Sequence, residues 1–267
     1  MNIKELSKIS YPENKYKQTK FIVRALYYYR YLKHLYTSMN PRVANLIIQN
    51  HSEFYTKAMR PYMALALDKK VAMDMISQHH DWVEDNHLMA VYDSGLPIRD
   101  LTVGEDSYQF ILSYEPRYWK EGELTLRLTD NIQNFYVISF TIYDGRAYVG
   151  GVQGPEHDGG FSKKITKGLF GLRPKSLILE VLRLWLKDKG IHEILGIKNK
   201  KHTYSSIRYG NINFDFDSYW KEHGGQSLDV NFYQIPLSQS RKDLAALSRT
   251  KRKMYKKRYE FLDTLEV

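Results

Sequence analysis

The chain has 267 residues, a net charge of +10 from 40 Lys and Arg against 30 Asp and Glu, and no cysteine. The absence of cysteine excludes a disulfide framework, a cysteine-ligated zinc site and a thiolate nucleophile. A hydrophobic share of 43% is typical of a globular protein, and the basic balance favours anionic partners: nucleic acid, phosphorylated cofactors or an acidic membrane surface.

The first hundred residues are predicted to be helical. Lys20–Tyr36 mixes apolar, aromatic and basic residues without Gly or Pro, and Pro41 favours the start of a second helix. A third helical run, Tyr62–Asn86, has apolar residues at helical spacing.

Four short runs rich in aromatic, β-branched or alternating apolar residues follow, and they predict an antiparallel meander. The runs are Tyr108–Tyr114, Glu123–Asp130, Phe135–Asp144 and Arg146–Gln153. Asp144-Gly145 lies between the last two runs and is a strong signal for a two-residue hairpin.

The clearest helix begins near Pro174 and ends before Gly190, after a Gly-rich and basic stretch at residues 150–175. It is apolar on more than one face, so we expect it to be buried against a sheet. The later runs predict a strand over Ile191–Ile197, a short helix over Asp217–His223, a strand over Asp229–Leu237 and a basic helix over Arg241–Leu265. We expect this last helix to dock through its apolar residues with its charges outward.

This order of elements predicts an α+β fold: a helical region, then a mixed, mostly antiparallel sheet with a central buried helix. The expected division is a helical region at residues 1–100, a sheet region at 101–240 and a basic helix at 241–267, together in one compact unit. Gcn5-related N-acyltransferases (GNAT) share the order of elements, with the cofactor pyrophosphate at the start of the central helix. That comparison is an analogy of element order.

The positive charge is concentrated at the two ends. Residues 1–42 carry nine Lys and Arg and two acids, a net +7. Residues 241–267 carry nine Lys and Arg and four acids, a net +5. The remaining middle is therefore near neutral, at −2. No apolar leader and no bilayer-length apolar stretch is present, so we expect a cytoplasmic protein, with peripheral contact at the inner membrane left open.

Five ordered motifs indicate a family. They are Lys120–Leu128, Val149–Pro155, Gly171–Leu177, Phe216–Trp220 and Lys253–Asp263. Through these motifs the chain resembles the VirK/YbjX (DUF535) proteins of Gram-negative bacteria, from about residue 40 to its end. The resemblance implies an association with virulence, with resistance to cationic antimicrobial peptides and with upkeep of the cell envelope. It implies no assigned reaction.

The basic stretch before the buried helix is the strongest candidate for an anion site. Helix N-termini expose backbone N–H groups and a partial positive charge, and glycines let a ligand approach the backbone closely. The predicted donor-binding residues are Lys167, Gly168, Gly171, Leu172, Arg173 and Lys175. The alternative is a solvated basic loop before an ordinary helix.

Candidate catalytic residues lie in two polar turns that follow strands. Glu156 or His202 is predicted to relay a proton, and Tyr204 to act as general acid. The predicted substrate-binding residues are Gln153, His157 and Arg208. The alternative for both turns is a loop whose polar groups are satisfied locally.

His80, Glu84 and His87 have the spacing of one helix face. Three ligands from a single helix lack the outside support of known metal sites, so we expect no metal.

Two functions of different class remain open. The first is a cytoplasmic acyl- or aminoacyl-transferase-like enzyme that holds the phosphates of a coenzyme A thioester or an aminoacyl-tRNA at the basic stretch. The alternative is a non-enzymatic envelope-stress factor that binds an anionic membrane surface or RNA through residues 1–42 and 241–267.

Overall fold

Helices form the first third of the chain in the computed structural model, which describes residues 1–206 and 214–265. They are α1 (Ile3–Ser10), α2 (Lys15–Tyr27), α3 (Tyr29–Ser38), α4 (Pro41–Asn50) and α5 (Lys69–Asp85). Side chains cap several of them: Asn14 accepts the Lys17 N–H at α2, and Asp68 accepts two backbone N–H groups at α5. Each such cap satisfies backbone donors that the first helical turn leaves free.

A single sheet follows these helices. Its strands are β1 (Leu96–Val103), β2 (Asp106–Ser113), β3 (Leu124–Thr129), β4 (Asn134–Tyr143), β5 (Arg146–Gln153), β6 (Glu193–Ile197), β7 (Gln226–Ser227) and β8 (Phe232–Ile235). Across the described residues the strand order is β1-β2-β3-β4-β5-β6-β8-β7. Every neighbouring pair is antiparallel except β5 and β6, which are parallel.

The parallel pair is joined by α6 (Phe161–Gly168) and α7 (Pro174–Asp188), and α8 (Phe216–Glu222) and α9 (Arg249–Thr264) come later. Leu177, Ile178 and Leu182 of α7 are fully buried, and the helix contacts β3 and β4. Each such side chain contributes about 1.5–3 kcal/mol through the apolar surface that it removes from water. The helix therefore supplies much of the core on its side of the sheet.

The strands β5 and β6 stay together over only part of their length. Their pairing runs from Arg146 with Glu193 to Val149 with Gly196, while β5 continues along β4 to Gln153. Gly150 lies in a bulge at the point where the pairing ends, and a Cβ there would be 2.3 Å from the Glu121 carbonyl oxygen. Only glycine fits this approach, and the carboxyl ends of the two strands separate beyond it.

The predicted α+β class and the mostly antiparallel sheet are confirmed, and the four runs of the predicted meander are β2 to β5. Five local expectations were wrong. The predicted helix over Tyr62–Asn86 begins only at Lys69, and the one over Arg241–Leu265 begins only at Arg249. The predicted helix over 20–36 is divided at Tyr28, residues 161–168 are helical within the predicted Gly-rich stretch, and Leu96–Val103 is a strand. Pro97 concealed that strand, which tolerates the proline because it lies at the edge of the sheet beside a bulge.

A buried charge cluster joins the N-terminal helices to the sheet. Lys57 Nζ lies 2.5 Å from Glu123 Oε1, and His80 Nε2 lies 3.1 Å from Glu123 Oε2. His80 Nδ1 is 2.6 Å from the Tyr92 hydroxyl, so both ring nitrogens have partners. All of these side chains are buried.

Burial alone would raise the pKa of Glu123, but the Lys57 ammonium and the His80 contact outweigh it and hold that pKa well below its ordinary value. Burial also pulls the pKa of Lys57 down. We take the pair as ionised, because neutralising Lys57 would leave a buried carboxylate without its main compensating charge.

Breaking this pair from one side is expected to cost about 3–5 kcal/mol of unfolding free energy, because the partner charge stays buried and uncompensated. We expect that cost for Lys57→Met and for Glu123→Gln in urea unfolding, and a cost well below their sum for the double variant Lys57→Met, Glu123→Gln. The exposed pair Lys256–Glu260 is the control and should cost less than about 1 kcal/mol. Additive costs at the buried pair would contradict the assignment.

Candidate functional site

A groove of about 1060 Å³ lies between the α6–α7 corner and α9. Seven cations line it: Lys163, Lys167, Arg173, Lys175, Arg249, Lys253 and Lys257. Apolar surface comes from Tyr136, Phe170, Pro174 and Met254, and no carboxylate is among its lining residues in the described part of the chain. The groove therefore offers positive charge and apolar contact to one ligand.

One wall of the groove is a row of cations on α9. Arg249, Lys253 and Lys257 follow each other at intervals of four residues, so they share one helix face. The Arg258 guanidinium donates two hydrogen bonds, of 3.1 and 2.9 Å, to the Phe170 carbonyl oxygen, while Leu262 is buried. The helix docks as expected, and this row is exposed while it lines the groove.

The opposite wall is a tight turn between α6 and α7. Phe170 and Gly171 both have left-handed backbone, with φ of 52° and 81°. A Cβ on Gly171 would lie 2.6 Å from Arg258 Nη2, so the glycine also lets α9 approach. Both walls therefore depend on the contact between this turn and Arg258.

The N-terminus of α7 faces the same space. Arg173 caps the helix through its backbone, and its side chain forms an ion pair with Glu222 of α8. Burial first, and the Arg173 guanidinium second, lower the pKa of Lys175. The Lys175 ammonium lies 5.8 Å from the Tyr219 ring centroid. The helix terminus adds its partial positive charge to that of these side chains.

The predicted donor-binding residues divide into two groups. Lys167, Gly171, Arg173 and Lys175 line the groove. Gly168 instead packs against β1, where a Cβ would lie 2.2 Å from Val103 Cγ1, and Leu172 is buried at 3% exposure.

The α9 cations lie within residues 241–267, which were predicted to bind RNA or lipid, but they were not predicted to line the donor groove. The four-residue spacing of Arg249, Lys253 and Lys257 is the signal in the sequence that marks them.

A second cluster lies at the carboxyl ends of β5 and β6. His202 Nε2 is 3.1 Å from Glu121 Oε1, at ion-pair distance but out of line for a hydrogen bond. Gln153 Nε2 donates to Glu121 Oε2 at 2.8 Å. His202 Nδ1 accepts the Tyr204 backbone N–H at 3.2 Å, which leaves the proton of a neutral ring on Nε2, toward Glu121.

The structure thus brings two predicted residues, Gln153 and His202, to a carboxylate that sequence reasoning missed. Glu121 lies within the Lys120–Leu128 motif, which is the one signal that pointed to it. Tyr204 is half-buried, with the Lys120 ammonium 4.9 Å from its ring centroid.

Glu156 and His157 are exposed in the turn before α6, where Asp158 accepts hydrogen bonds from Ser162. Arg208 lies outside the described residues.

The groove and the Glu121–His202 pair meet at the end of β5. Gln153 contacts Glu121, and a Cβ on the next residue, Gly154, would lie 3.1 Å from the Tyr136 ring. Tyr136 lines the groove, and its hydroxyl is 2.9 Å from Ser162 Oγ. The consecutive residues Gln153 and Gly154 therefore connect the Glu121–His202 pair to the groove.

Two residues of the candidate metal face have other roles. His80 belongs to the buried charge cluster, and Glu84 accepts a hydrogen bond of 2.6 Å from Asn40. Within residues 1–206 and 214–265, no group of three or more His, Asp or Glu side chains is arranged to hold a metal ion. In the same part of the chain, no helix has the length and apolar character needed to cross a bilayer.

The sequence matches one protein family over most of its length. The family model described as a protein of unknown function (DUF535) matches residues 12–267. The uncharacterized protein YbjX of Escherichia coli is 27% identical over 241 residues, which cover 83% of this chain and 72% of that protein. Two uncharacterized proteins of Haemophilus influenzae are 32% and 31% identical, over 54% and 62% of this chain and 51% and 59% of their own lengths. No solved structure matches the chain significantly.

Gly168→Ala tests whether this glycine serves packing or ligand binding. The new methyl group would overlap Val103, so we expect a loss of about 1–3 kcal/mol in unfolding free energy. Adding Val103→Ala makes room for the methyl group, so the double variant should lose less unfolding free energy than the sum of the losses in the two single variants. Anion binding in the groove should not change. A stable Gly168→Ala protein with weakened anion binding would instead make Gly168 a ligand contact.

Proposed function

The chain belongs to the DUF535 family, and we propose that it is an acyl- or aminoacyl-transferase-like enzyme that holds the phosphates of its donor in the basic groove. The observation that carries the proposal is the set of seven cations around one space of about 1060 Å³. Like charges held together repel one another, and a bound polyanion relieves that repulsion. A space of this size suits an organic ligand larger than free phosphate.

The lining supports a ligand with both phosphate and apolar parts. Arg249 has the guanidinium geometry that binds two phosphate oxygens at once, Arg173 can do so if it leaves Glu222, and the α7 N-terminus favours negative charge. Tyr136, Phe170 and Met254 offer surface for an adenine ring or an alkyl chain. Coenzyme A thioesters and the adenosine end of an aminoacyl-tRNA carry both parts.

The order of elements adds support by analogy. In the GNAT arrangement, the donor pyrophosphate lies at the start of the central helix. Here α7 lies between the parallel strands β5 and β6, and its first residues line the groove. The analogy concerns order of elements alone, and the residues of the groove carry the proposal.

The Glu121–His202 pair is the proposed proton acceptor. An acceptor amine attacks the donor acyl carbon, a C–N bond forms, and the C–S bond of a thioester or the C–O bond of an aminoacyl ester breaks. His202 takes the amine proton at Nδ1 once that nitrogen is released from the Tyr204 N–H, Glu121 stabilises the imidazolium at Nε2, and Tyr204 protonates the leaving group. Proton exchange with water then restores both side chains. Since only 2% of His202 is exposed, the acceptor reaches it only if the surrounding turn opens on donor binding.

The alternative function keeps one observation in its favour, the exposed apolar surface of the first helices. That surface lies apart from the groove, so it is compatible with either function.

Charge reversal in the groove is expected to abolish donor binding selectively. Lys253→Glu with Lys257→Glu should weaken binding of coenzyme A, acetyl-CoA or aminoacyl-tRNA about 100-fold, because two charge-assisted contacts are lost. Lys251→Glu with Lys256→Glu makes the same charge change on α9 outside the groove lining, and should weaken binding less than about threefold. Titration calorimetry measures both. Absence of binding by the unmodified protein, or equal loss in both variants, would overturn the proposal.

Thiol release distinguishes the two proposed proton acceptors. The chain has no cysteine, so a thiol reagent reports only coenzyme A freed from acetyl-CoA in the presence of an amine panel. His202→Asn is expected to lower the release rate about 10²–10⁴-fold with donor affinity unchanged, since it removes the acid–base group. Glu156→Gln should keep the rate. The reverse result would assign the proton transfer to Glu156, and no release by the unmodified protein would exclude acetyl-CoA as donor.

A further inference from the structure

The exposed apolar surface of this protein is concentrated at one end. Of eleven large hydrophobic residues exposed among the described residues, eight lie within residues 1–36. They are Met1, Ile9, Tyr16, Val23, Leu26, Tyr27, Tyr29 and Tyr36. Single exposed apolar residues are ordinary, but a contiguous group of them marks an interaction surface.

The helix α2 is apolar on two opposite faces. Phe21 and Ala25 point into the core and are 3% and 0% exposed. Tyr16, Val23 and Tyr27 follow at intervals of seven and four on the far side and are 75%, 62% and 81% exposed. Leu26, 64% exposed, lies beside them. A helix normally presents polar residues on the face away from the core, so an apolar outer face that is exposed to water is unusual.

Cations border the outer face. The sequence of α2 contains three lysines and one arginine and no acid. Lys17, Lys20 and Arg24 line a cleft of about 280 Å³ beside the helix, to which the 3-10 segment at Phe54–Met59 and Arg60 also contribute. Glu53, the acid in that cleft, accepts a hydrogen bond of 2.9 Å from the Tyr11 hydroxyl. Positive charge thus lies directly next to the apolar stripe.

We infer that α2 docks this protein on an anionic phospholipid surface, with Val23, Leu26 and Tyr27 entering the headgroup boundary and Lys17, Lys20 and Arg24 contacting lipid phosphates. An apolar stripe that contains tyrosine and is edged by lysine is the composition of helices that lie in a bilayer interface. The net +7 of residues 1–42 adds attraction to an anionic leaflet.

The aliphatic part of the stripe favours lipid over nucleic acid. Single-stranded nucleic acid stacks on aromatic rings, and Val23 and Leu26 offer none. In a bilayer the same side chains enter the acyl boundary, while lysine stems lie along the apolar surface with their ammonium groups in the headgroups. This inference does not rest on the transferase proposal, because the residues of α2 do not line the groove.

Vesicle sedimentation tests the inference with the full chain. The probes are vesicles of phosphatidylglycerol with phosphatidylethanolamine, and neutral vesicles of phosphatidylcholine. We expect binding to the anionic vesicles, with at least about tenfold weaker partitioning to the neutral ones and a loss of binding at high salt. No binding to anionic vesicles, or equal binding to both kinds, overturns the inference.

Matched variants locate the docking face. Val23→Ser with Leu26→Ser should lower anionic partitioning at least about tenfold, as should Lys17→Glu with Lys20→Glu. Leu228→Ser with Val230→Ser alters exposed apolar residues elsewhere and should change it less than about twofold. Lys253→Glu with Lys257→Glu in the groove should also leave it unchanged. Equal loss of binding in these controls overturns the assignment to α2. Two other results would also overturn it: a stable dimer that the α2 substitutions disrupt, or RNA bound more tightly than vesicles through the same residues.

Discussion

One constraint organises the structure: a single parallel strand pair inside an otherwise antiparallel sheet. Antiparallel neighbours can be joined by a two-residue turn, but β5 and β6 run in the same direction and need a long crossover. That crossover contains α6, the Phe170-Gly171 turn and α7. It therefore puts a helix N-terminus and four cations on one side of the groove. It also leaves the carboxyl ends of β5 and β6 apart, where Gln153 and His202 meet Glu121.

The elements that the sequence predicted are those whose signals are local. Asp144 and Gly145 have φ of 50° and 67°, the conformation that their two-residue hairpin requires. Pro174 begins α7 and Gly190 follows it with a φ of 69°. The helix α6 was missed because glycines surround its one apolar pair, Phe161 and Ile165, whose burial depends on partners such as Tyr108 and Phe135 from distant strands. Packing across the fold overrides weak propensity there.

The candidate site was predictable to the same extent. Lys167, Gly171, Arg173 and Lys175 are close in sequence and were found from their position before a helix. The other wall of the groove comes from α9, whose anchor, Arg258, lies 88 residues from its acceptor on Phe170. The carboxylate of Glu121 meets His202 through a similar long-range contact. No spacing rule connects such residues, because the sheet and its crossover bring them together. The sequence therefore indicates half of each constellation, and the fold supplies the other half.

The two basic ends, similar in composition, differ in what surrounds their charges. On α9, the row Arg249, Lys253 and Lys257 faces other cations across the groove, so one bound anion can contact both walls. On α2 the cations border an exposed apolar stripe, and salt screens exposed charges over about 8 Å at physiological ionic strength. Charge at the first end therefore favours one polyanionic ligand held between two walls. Charge at the second favours a broad anionic surface that also receives apolar side chains. The net +10 therefore combines charge that converges on one bound anion with charge that lies along an apolar surface.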